Sequence, residues 1–255
     1  MEIIKNNLKQ HSYSGLSKDF YSEQLQQPLN DPYLIHVNKG LLKELNLSNE
    51  SHEALMYIFN GNIQIPGIKG ISLNYAGHQF GQYVQQLGDG RGILLGELKI
   101  KDEFFDVHIK GSGKTPYSRF GDGRAVLRSS LREYLCGEAM SGLGIPSSRS
   151  LMIFGSNDMV YREKSEPAAM IARTAKTHIR FGSFEKFFHD GLLDRHRELS
   201  DHVIYKYLPQ ANKYKNKYSY LLESIVTKTA SLIAHWQSIG FCHGVMNTDN
   251  MSILG

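Results

Sequence analysis

The residues best suited to chemistry lie in one short segment near residue 250. Asp249 is a carboxylate that can accept a proton from an attacking hydroxyl, as a general base does. The neighbouring Asn250 offers an amide oxygen, a ligand that hard divalent cations accept. This adjacency predicts a loop that carries a base and a metal ligand side by side.

The segment from His243 to Asn250 is related in spacing to the catalytic loop of protein kinases. That loop has the pattern H-x-D-x-x-x-x-N, in which Asp accepts the proton of the acceptor and Asn binds a metal ion. His243 and Asn250 keep the spacing, but Val245 occupies the position of the usual base. We interpret the segment as a kinase-like loop in which Asp249 replaces the missing base.

A lysine and a glutamate upstream predict a phosphate-binding pair. Lys110 ends an apolar strand candidate, and Glu133 lies on the helix predicted to follow. In kinases such a pair directs the lysine ammonium at the nucleotide phosphates. The alternative is a surface lysine and an exposed helical glutamate, the common placement of charged residues. The kinase-like loop downstream favours the pair.

Two glycine-rich turns predict places where backbone amides approach phosphate oxygens. One spans residues 87–92 and includes the cation Arg91, and the other spans residues 121–124, just before a predicted helix N-terminus. Ordinary hairpin and capping turns are the alternatives for both. The segment 111–115 is not a Walker P-loop, because that pattern requires glycine at position 108, which is His108.

Five arginines are candidates for anion contacts. Arg124, Arg128 and Arg132 recur every four residues and form one helical stripe, for which we favour internal ion pairs or phosphate contacts over nucleic acid. Arg173 and Arg180 flank a predicted turn, where their guanidinium groups have the geometry to bind a polyphosphate. The histidines at 178 and 243 lack zinc-ligand spacing and are interpreted as structural.

Composition limits the class of protein. The 255 residues are 41% hydrophobic, enough for a substantial core, and the formal net charge of +4 is too small to require a nucleic-acid partner. Two cysteines favour a reducing compartment. The N-terminus has no signal-peptide pattern, and no apolar run approaches the length of a membrane span. We expect a soluble, cytoplasmic protein of bacterial type without a nucleic-acid or membrane partner.

The order of predicted elements positions these residues. Periodicity and turn signals predict two strands joined by a turn, a helix, further strands and two more helices. The predicted ranges are 93–100 and 104–110 for the first strands, 125–140 for the helix, 150–154, 159–162 and 168–172 for the later strands, 184–188 with Ser183 as N-cap, and 218–237 for the long helix. In the long helix we expect an inward apolar face, made of Leu221, Leu222, Ile225, Val226, Ala230, Ile233 and Ala234.

This order indicates an α+β, protein-kinase-like (pseudokinase) bilobal fold. We predict an N-terminal extension at residues 1–65 and a kinase-like N-lobe with nucleotide-binding loops at residues 66–180. We expect residues 181–255 to form the start of a helical C-lobe, with the second lobe truncated just after the catalytic loop.

Four long motifs resemble the selenoprotein O (YdiU) family over nearly the whole chain from about residue 10. The motifs are N-Y-A-G-H-Q-F-G at residues 74–81, K-G-S-G-K-T-P-Y-S-R at 110–119, G-D-G-R-A-V-L-R-S-S at 121–130 and H-G-V-M-N-T-D-N-M-S at 243–252. Members of that family are pseudokinase-fold protein adenylyltransferases. The resemblance implies that ATP binds in a flipped orientation and that AMP passes to a Ser, Thr or Tyr hydroxyl of a protein.

The resemblance also implies roles for residues at matching positions. It implies Asp249 as the base, Asn250 as a ligand of Mg²⁺ or Mn²⁺, and Arg173 and Arg180 as contacts of the far phosphates. The remaining nucleotide-binding positions are Gly88, Gly90, Arg91, Lys110, Glu133, Asp122 and Gly123. Family members are nearly twice as long, and a second metal-binding aspartate is expected beyond residue 255. A kinase-like phosphotransferase and an inactive, truncated nucleotide-binding fragment are the alternatives.

Overall fold

The computed structural model describes residues 2–255 and divides them into two compact units. Unit 1 comprises the residues up to Leu73 together with Gly88–His178, and unit 2 comprises Asn74–Leu87 together with Ile179–Gly255. In chain order the elements are α1 (Glu2–Asn7), β1 (Leu8–Lys9), β2 (Tyr21–Glu23), β3 (Tyr33–Val37), α2 (Lys39–Glu44), α3 (His52–Asn60), β4 (Ile71–Leu73), β5 (Gly77–Gln79), β6 (Gln82–Val84), β7 (Gly92–Ile100), β8 (Glu103–Lys110), β9 (Ala125–Val126), α4 (Leu127–Gly142), β10 (Arg149–Tyr161), β11 (Ser165–Ala175), α5 (Phe181–His189), α6 (Leu193–Tyr207) and α7 (Lys217–Ser238).

Unit 1 is built on a nine-stranded antiparallel sheet. Its strand order is β2-β4-β7-β8-β11-β10-β3, with β1 paired to β7 and β9 paired to β11. The chain is therefore mixed α and β, with one large antiparallel sheet, as the predicted α+β class requires. Strands from residues 1–65, predicted as an extension, belong to this sheet. The domain boundaries at 65 and 180 remain predictions.

Side chains of β10 face both sides of the sheet, as alternation along a strand requires. Met152 and Phe154 belong to the main core, which also contains Leu42 of α2 and Phe59 of α3. The residue between them, Ile153, packs instead in a smaller cluster with Tyr134 of α4 and Ile171 of β11. Helices therefore cover both faces of the sheet, and α4 lies on the face opposite the main core.

The strand β10 corrects the sequence prediction. Two separate strands, at 150–154 and 159–162, were predicted, with the polar residues 156–158 between them. The structure has a single strand, and its pairing with β11 shifts register between Gly155 and Met159. A β-bulge absorbs the polar residues without ending the strand. The predicted hairpin of β7 and β8 is confirmed, with Ile100 opposite Glu103.

Unit 2 combines the β5–β6 hairpin with α5, α6 and α7. The prediction of Ser183 as an N-cap is wrong, because α5 already begins at Phe181 and Ser183 is buried within it. The first amides of α5 have other acceptors: Phe181 donates to the carbonyl of Met251, and Gly182 donates to that of Thr248. The loop carbonyls take the place of a capping side chain.

The long helix α7 is present, one residue longer at each end than predicted, but its predicted inward face is only partly buried. Leu221 is buried, whereas Leu222 and Val226 are 64% and 58% exposed. Ala230 and Ala234 are exposed as well. In unit 2, α7 contacts α6 and the 3-10 segment Pro209–Lys213, so only a narrow stripe is covered. Among the described residues, no helix combines the length and apolar character needed to cross a membrane.

Candidate active site

The predicted ion pair of unit 1 is present. Lys110 is the last residue of β8, and its ammonium contacts Oε2 of Glu133, which lies in the second turn of α4. Arg173 of β11 donates from Nη1 to the other glutamate oxygen, Oε1, at 2.8 Å. Glu133 thus holds two cations at once, which orders both side chains beside each other.

Burial and charge together set the protonation of this group. Burial by itself would raise the pKa of Glu133, but the charges of Arg173 and Lys110 lower it to about 2. Burial lowers the pKa of Lys110 to about 8, against the opposing effect of Glu133, and the charges of Arg173 and Arg91 add to the decrease. At pH 7 the group therefore carries ionised Glu133 and a mostly protonated Lys110.

His108 is a buried member of the group that sequence reasoning missed. It is the cross-strand partner of Arg173, and its Nδ1 accepts a hydrogen bond from Nη2 of Arg173 at 2.9 Å. Burial, followed by the charge of Arg173, lowers the pKa of His108 to about 3, so the ring is neutral and able to accept. The available signal was the pair of polar residues Asp106 and His108, which alternate with the apolar residues Phe105, Val107 and Ile109 and therefore share one face of the strand.

The turn at residues 87–92 requires its glycines for packing. Gly88 has φ +75°, and a Cβ there would lie 2.4 Å from Cγ of Tyr117. A Cβ on Gly90 would lie 2.7 Å from the carbonyl oxygen of Tyr117. Arg91 is exposed, and its charge contributes to the lowered pKa of Lys110. Nucleotide contact by these three residues remains a prediction.

The turn at residues 121–124 is held by an ion pair. Both oxygens of Asp122 accept from Arg162, at 2.8 and 2.9 Å, and Oδ1 also accepts from the backbone amide of Arg124. Gly123 has φ +72°, and a Cβ there would overlap the carbonyl of Gly113 at 2.1 Å. The turn at residues 121–124 therefore packs through its backbone against the segment 111–115, and the Asp122 carboxylate is engaged within the protein.

Arg124 and Arg128, two arginines of the predicted helical stripe, make contacts within unit 1. Arg128 pairs with Glu166 at 2.7 Å, which confirms the predicted internal ion pair. Arg124 donates to the backbone carbonyls of Gln27 and Pro28. These two side chains stabilise unit 1, and phosphate contact is not needed to explain them.

The kinase-like loop lies in unit 2 and presents two oxygen donors. Oδ2 of Asp249 accepts a hydrogen bond from Nε2 of Gln79 at 3.0 Å. Oδ1 of Asp249 is buried and has no hydrogen-bond donor among residues 2–255. Asn250 donates from Nδ2 to the carbonyl of Val245 at 3.2 Å, so its Oδ1 is the atom that remains for a cation. Amide and carboxylate oxygens are the donors that Mg²⁺ and Mn²⁺ prefer, so the residues fit such an ion.

Arg180 and His243 hold this loop in place. Arg180 donates from Nη1 to the backbone carbonyl of Asp249 at 2.6 Å, and its guanidinium lies 4.8 Å from the ring centroid of Tyr75. His243 stacks on Trp236, and its Nδ1 accepts from the amide of Val245. The structural interpretation of His243 agrees with these contacts, and phosphate binding by Arg180 remains a prediction.

A buried cluster of His11, Glu97 and Asp106 in unit 1 has ligand atoms within 4.8 Å of one another. The backbone amide of Tyr13 donates to Nδ1 of His11, so the ring proton resides on Nε2 and is donated to Asp106 at 2.7 Å. A metal on Nε2 would displace that proton and leave neither nitrogen protonated. The cluster therefore does not fit a metal ion, and we interpret it as a structural hydrogen-bonded group.

We expect Asp106→Ala to destabilise unit 1 strongly. Asp106 also accepts from the backbone amide of His178 at 2.7 Å, and each buried donor left without an acceptor costs roughly 1–3 kcal/mol. The urea midpoint should fall, whereas that of the exposed-turn control Asp102→Ala should not. Burial would raise the pKa of Asp106, but His11 and His178 lower it, so its contribution persists at neutral pH and is lost in acid. Equal midpoints for both variants would contradict this interpretation.

Comparison with known proteins decides the family. The family model described as "Protein adenylyltransferase SelO" matches residues 4–255. The chain belongs to the SelO family. The resemblance predicted from the motifs is thereby confirmed, and the family assignment covers both units.

Curated SelO-family relatives have similar sequences. Proteins named "Protein nucleotidyltransferase YdiU" are 50% identical in Aliivibrio salmonicida over 246 residues (95% of this chain and 51% of the relative) and 48% identical in Myxococcus xanthus over 248 residues (96% and 51%). The relative of that name in Thiobacillus denitrificans is 46% identical over 258 residues (100% and 53%). The chain spans about half the length of the curated relatives it matches.

Proposed function

We propose that this chain supplies the nucleotide-binding and catalytic residues of a protein adenylyltransferase that transfers AMP from ATP to Ser, Thr or Tyr hydroxyls of proteins. One observation carries the proposal: the kinase-like loop has Val245 in place of the usual base, while Asp249, with a buried and unpaired oxygen, adjoins Asn250. The family model and the relatives' printed names support the same reaction class. The fold proposed with it is the kinase-like, pseudokinase arrangement.

Unit 1 supplies the cations for the phosphates in this proposal. Lys110 and Arg173 are held side by side by Glu133, so their donors are ordered before a polyphosphate arrives. Preorganised donors stabilise the charge that develops in the transition state, because they need not reorient during the reaction. The neutral His108 ring fixes the guanidinium plane of Arg173 without adding a competing charge.

Unit 2 supplies the base in this proposal. An acceptor hydroxyl attacks the α-phosphorus of ATP, its proton passes to the Asp249 carboxylate, and the bond to the β-phosphate oxygen breaks to release pyrophosphate. A divalent cation, which Asn250 would help to hold, neutralises phosphate charge when it is bound. Arg180 keeps the backbone of Asp249 in place from the first residue before α5.

The position of the label in ATP tests the reaction. We expect α-labelled ATP with Mg²⁺ to label a hydroxyl-bearing acceptor protein, or the chain itself, and γ-labelled ATP to leave it unlabelled. A kinase-like phosphotransferase would give the reverse pattern. Nucleotide binding without labelling from either ATP would support the non-enzymatic alternative. Mass spectrometry of the acceptor peptide then distinguishes an AMP increment from a phosphate increment.

A further inference from the structure

The motif at residues 74–81, which contributed to the family resemblance, contains Gln79, the residue that donates to Asp249. In the structure it forms the start of unit 2 and folds into the β5–β6 hairpin. The strands pair Gly77 with Val84 and Gln79 with Gln82, so the turn contains only Phe80 and Gly81. Both turn residues have positive φ, at 52° and 79°, as two-residue hairpin turns of type I′ require.

The hairpin lies directly against the kinase-like loop of the same unit. A Cβ on Gly77 would lie 3.0 Å from Oγ1 of Thr248 and 3.1 Å from Cβ of Asp249. The amide of Ala76 donates to the carbonyl of Gly182 at 3.1 Å, and a Cβ on Gly182 would meet that alanine's carbonyl oxygen at 2.1 Å. Small residues at these positions are therefore needed for the close approach of hairpin, helix α5 and loop.

Polar contacts fix the position of the hairpin relative to α5 and the kinase-like loop. The backbone amide of His78 donates to Oγ1 of Thr248 at 2.9 Å, and Thr248 donates to Oε2 of Glu185 at 2.5 Å. The other oxygen of Glu185 lies 3.0 Å from Nδ1 of His78. Glu185 of α5 thus connects β5 with the residue immediately before Asp249, which leaves little freedom for either segment.

We propose that Gln79 is the positioning residue of Asp249, a proposal that rests on the function proposed above. Nε2 of Gln79 holds Oδ2 of Asp249 at 3.0 Å, which fixes the plane of the carboxylate that receives the proton of the substrate hydroxyl. An amide donor suits this task, because it fixes the carboxylate without transferring a proton and without neutralising it by a second charge. The hairpin is thus a part of the catalytic apparatus.

Substitutions of Gln79 test the proposal. Gln79→Met keeps the length of the side chain but removes the donor, and Gln82→Met is the matched control because Gln82 is exposed and faces Gln79 across the hairpin. We expect Gln79→Met to lower kcat for AMP transfer roughly 10–100-fold, since a small misplacement of a reacting group has effects of this size. KM for ATP and its calorimetric affinity should change by less than about twofold, and Gln82→Met should behave as the parent.

A double substitution separates positioning from a general structural effect. In an Asp249→Ala background, Gln79→Met should cause no further loss of transfer, because the group it positions is absent. A loss of similar size in both backgrounds, or an unchanged kcat in the single variant, would overturn the proposal. Rescue of kcat by Gln79→His, which restores a donor, supports it, and failure of this variant alongside an intact Gln82→Met counts against it.

A crystallographic readout keeps this proposal distinct from the proposed function. Failure of the parent and of Gln82→Met to label an acceptor would refute the adenylyltransferase function itself. The orientation of Asp249 can still be measured in crystals of the parent and of Gln79→Met. We expect the carboxylate to rotate in the variant, and an identical rotamer in both crystals would overturn the positioning role whatever the activity.

Discussion

Lys110→Ala should abolish detectable transfer of AMP from labelled ATP. The lysine ammonium is ordered by Glu133, and removal of one preorganised donor typically costs about 10²–10³-fold in rate. The fold should persist, because Glu133 keeps its ion pair with Arg173 at 2.8 Å. The measurement is labelling by α-labelled ATP at pH 7, below the pKa of about 8 that burial gives Lys110.

Lys176→Ala is the matched control for that substitution. Lys176 is also in unit 1, but it is 42% exposed and pairs at the surface with Glu103. Exposed ion pairs contribute only about 0–1 kcal/mol, so labelling and thermal unfolding should both stay near the parent values. Unchanged labelling by Lys110→Ala would refute the phosphate-binding role, and a collapse of its circular dichroism spectrum would refute the expectation that the fold persists.

Asp249→Ala should lower the rate of AMP transfer by about 10²–10⁴-fold, the contribution typical of a positioned general base. The alanine keeps the backbone carbonyl that accepts from Arg180, so the loop remains anchored. ATP affinity, measured by calorimetry, should therefore stay within a few-fold of the parent. Asp194→Ala, at an exposed carboxylate in the first turn of α6, should leave both quantities unchanged.

The ratio of the two effects identifies the role of Asp249. Loss of turnover with retained ATP affinity is the result expected of a base. If instead binding collapses and the turnover per bound ATP is preserved, Asp249 acts as a ligand of the nucleotide-bound cation. The position of Asp249 beside Asn250 suits either role, and the separation of turnover from ATP affinity decides between them.

Several features of the fold and site were accessible to local sequence reasoning. The β7–β8 hairpin followed from two apolar runs around a short turn, and the Lys110–Glu133 pair followed from the order of strand and helix. Local reasoning failed at β10 and at Ser183. A bulge resembles a turn in composition, and the α5 amides find their acceptors in a loop about 70 residues away.

The sequence by itself determined the family, the adjacency of Asp249 and Asn250, and the absence of a carboxylate at Val245. These properties depend only on residue type and on spacing within a few positions. They are therefore already present in the unfolded chain. The tertiary structure decided which side chains hold the reactive groups.

Two contacts show why folding was required for that decision. His108 and Arg173 are hydrogen-bonded although they are 65 residues apart in the sequence, and Gln79 and Asp249 are hydrogen-bonded although they are 170 residues apart. Neither contact leaves a periodic signal, because each depends on how a strand or a hairpin packs against a distant segment. In the sequence, the glycine at position 77 is one residue of the motif at 74–81, and nothing there indicates what it packs against. Only the structure shows that the missing side chain of Gly77 allows the backbone of β5 to lie against the side chain of Thr248.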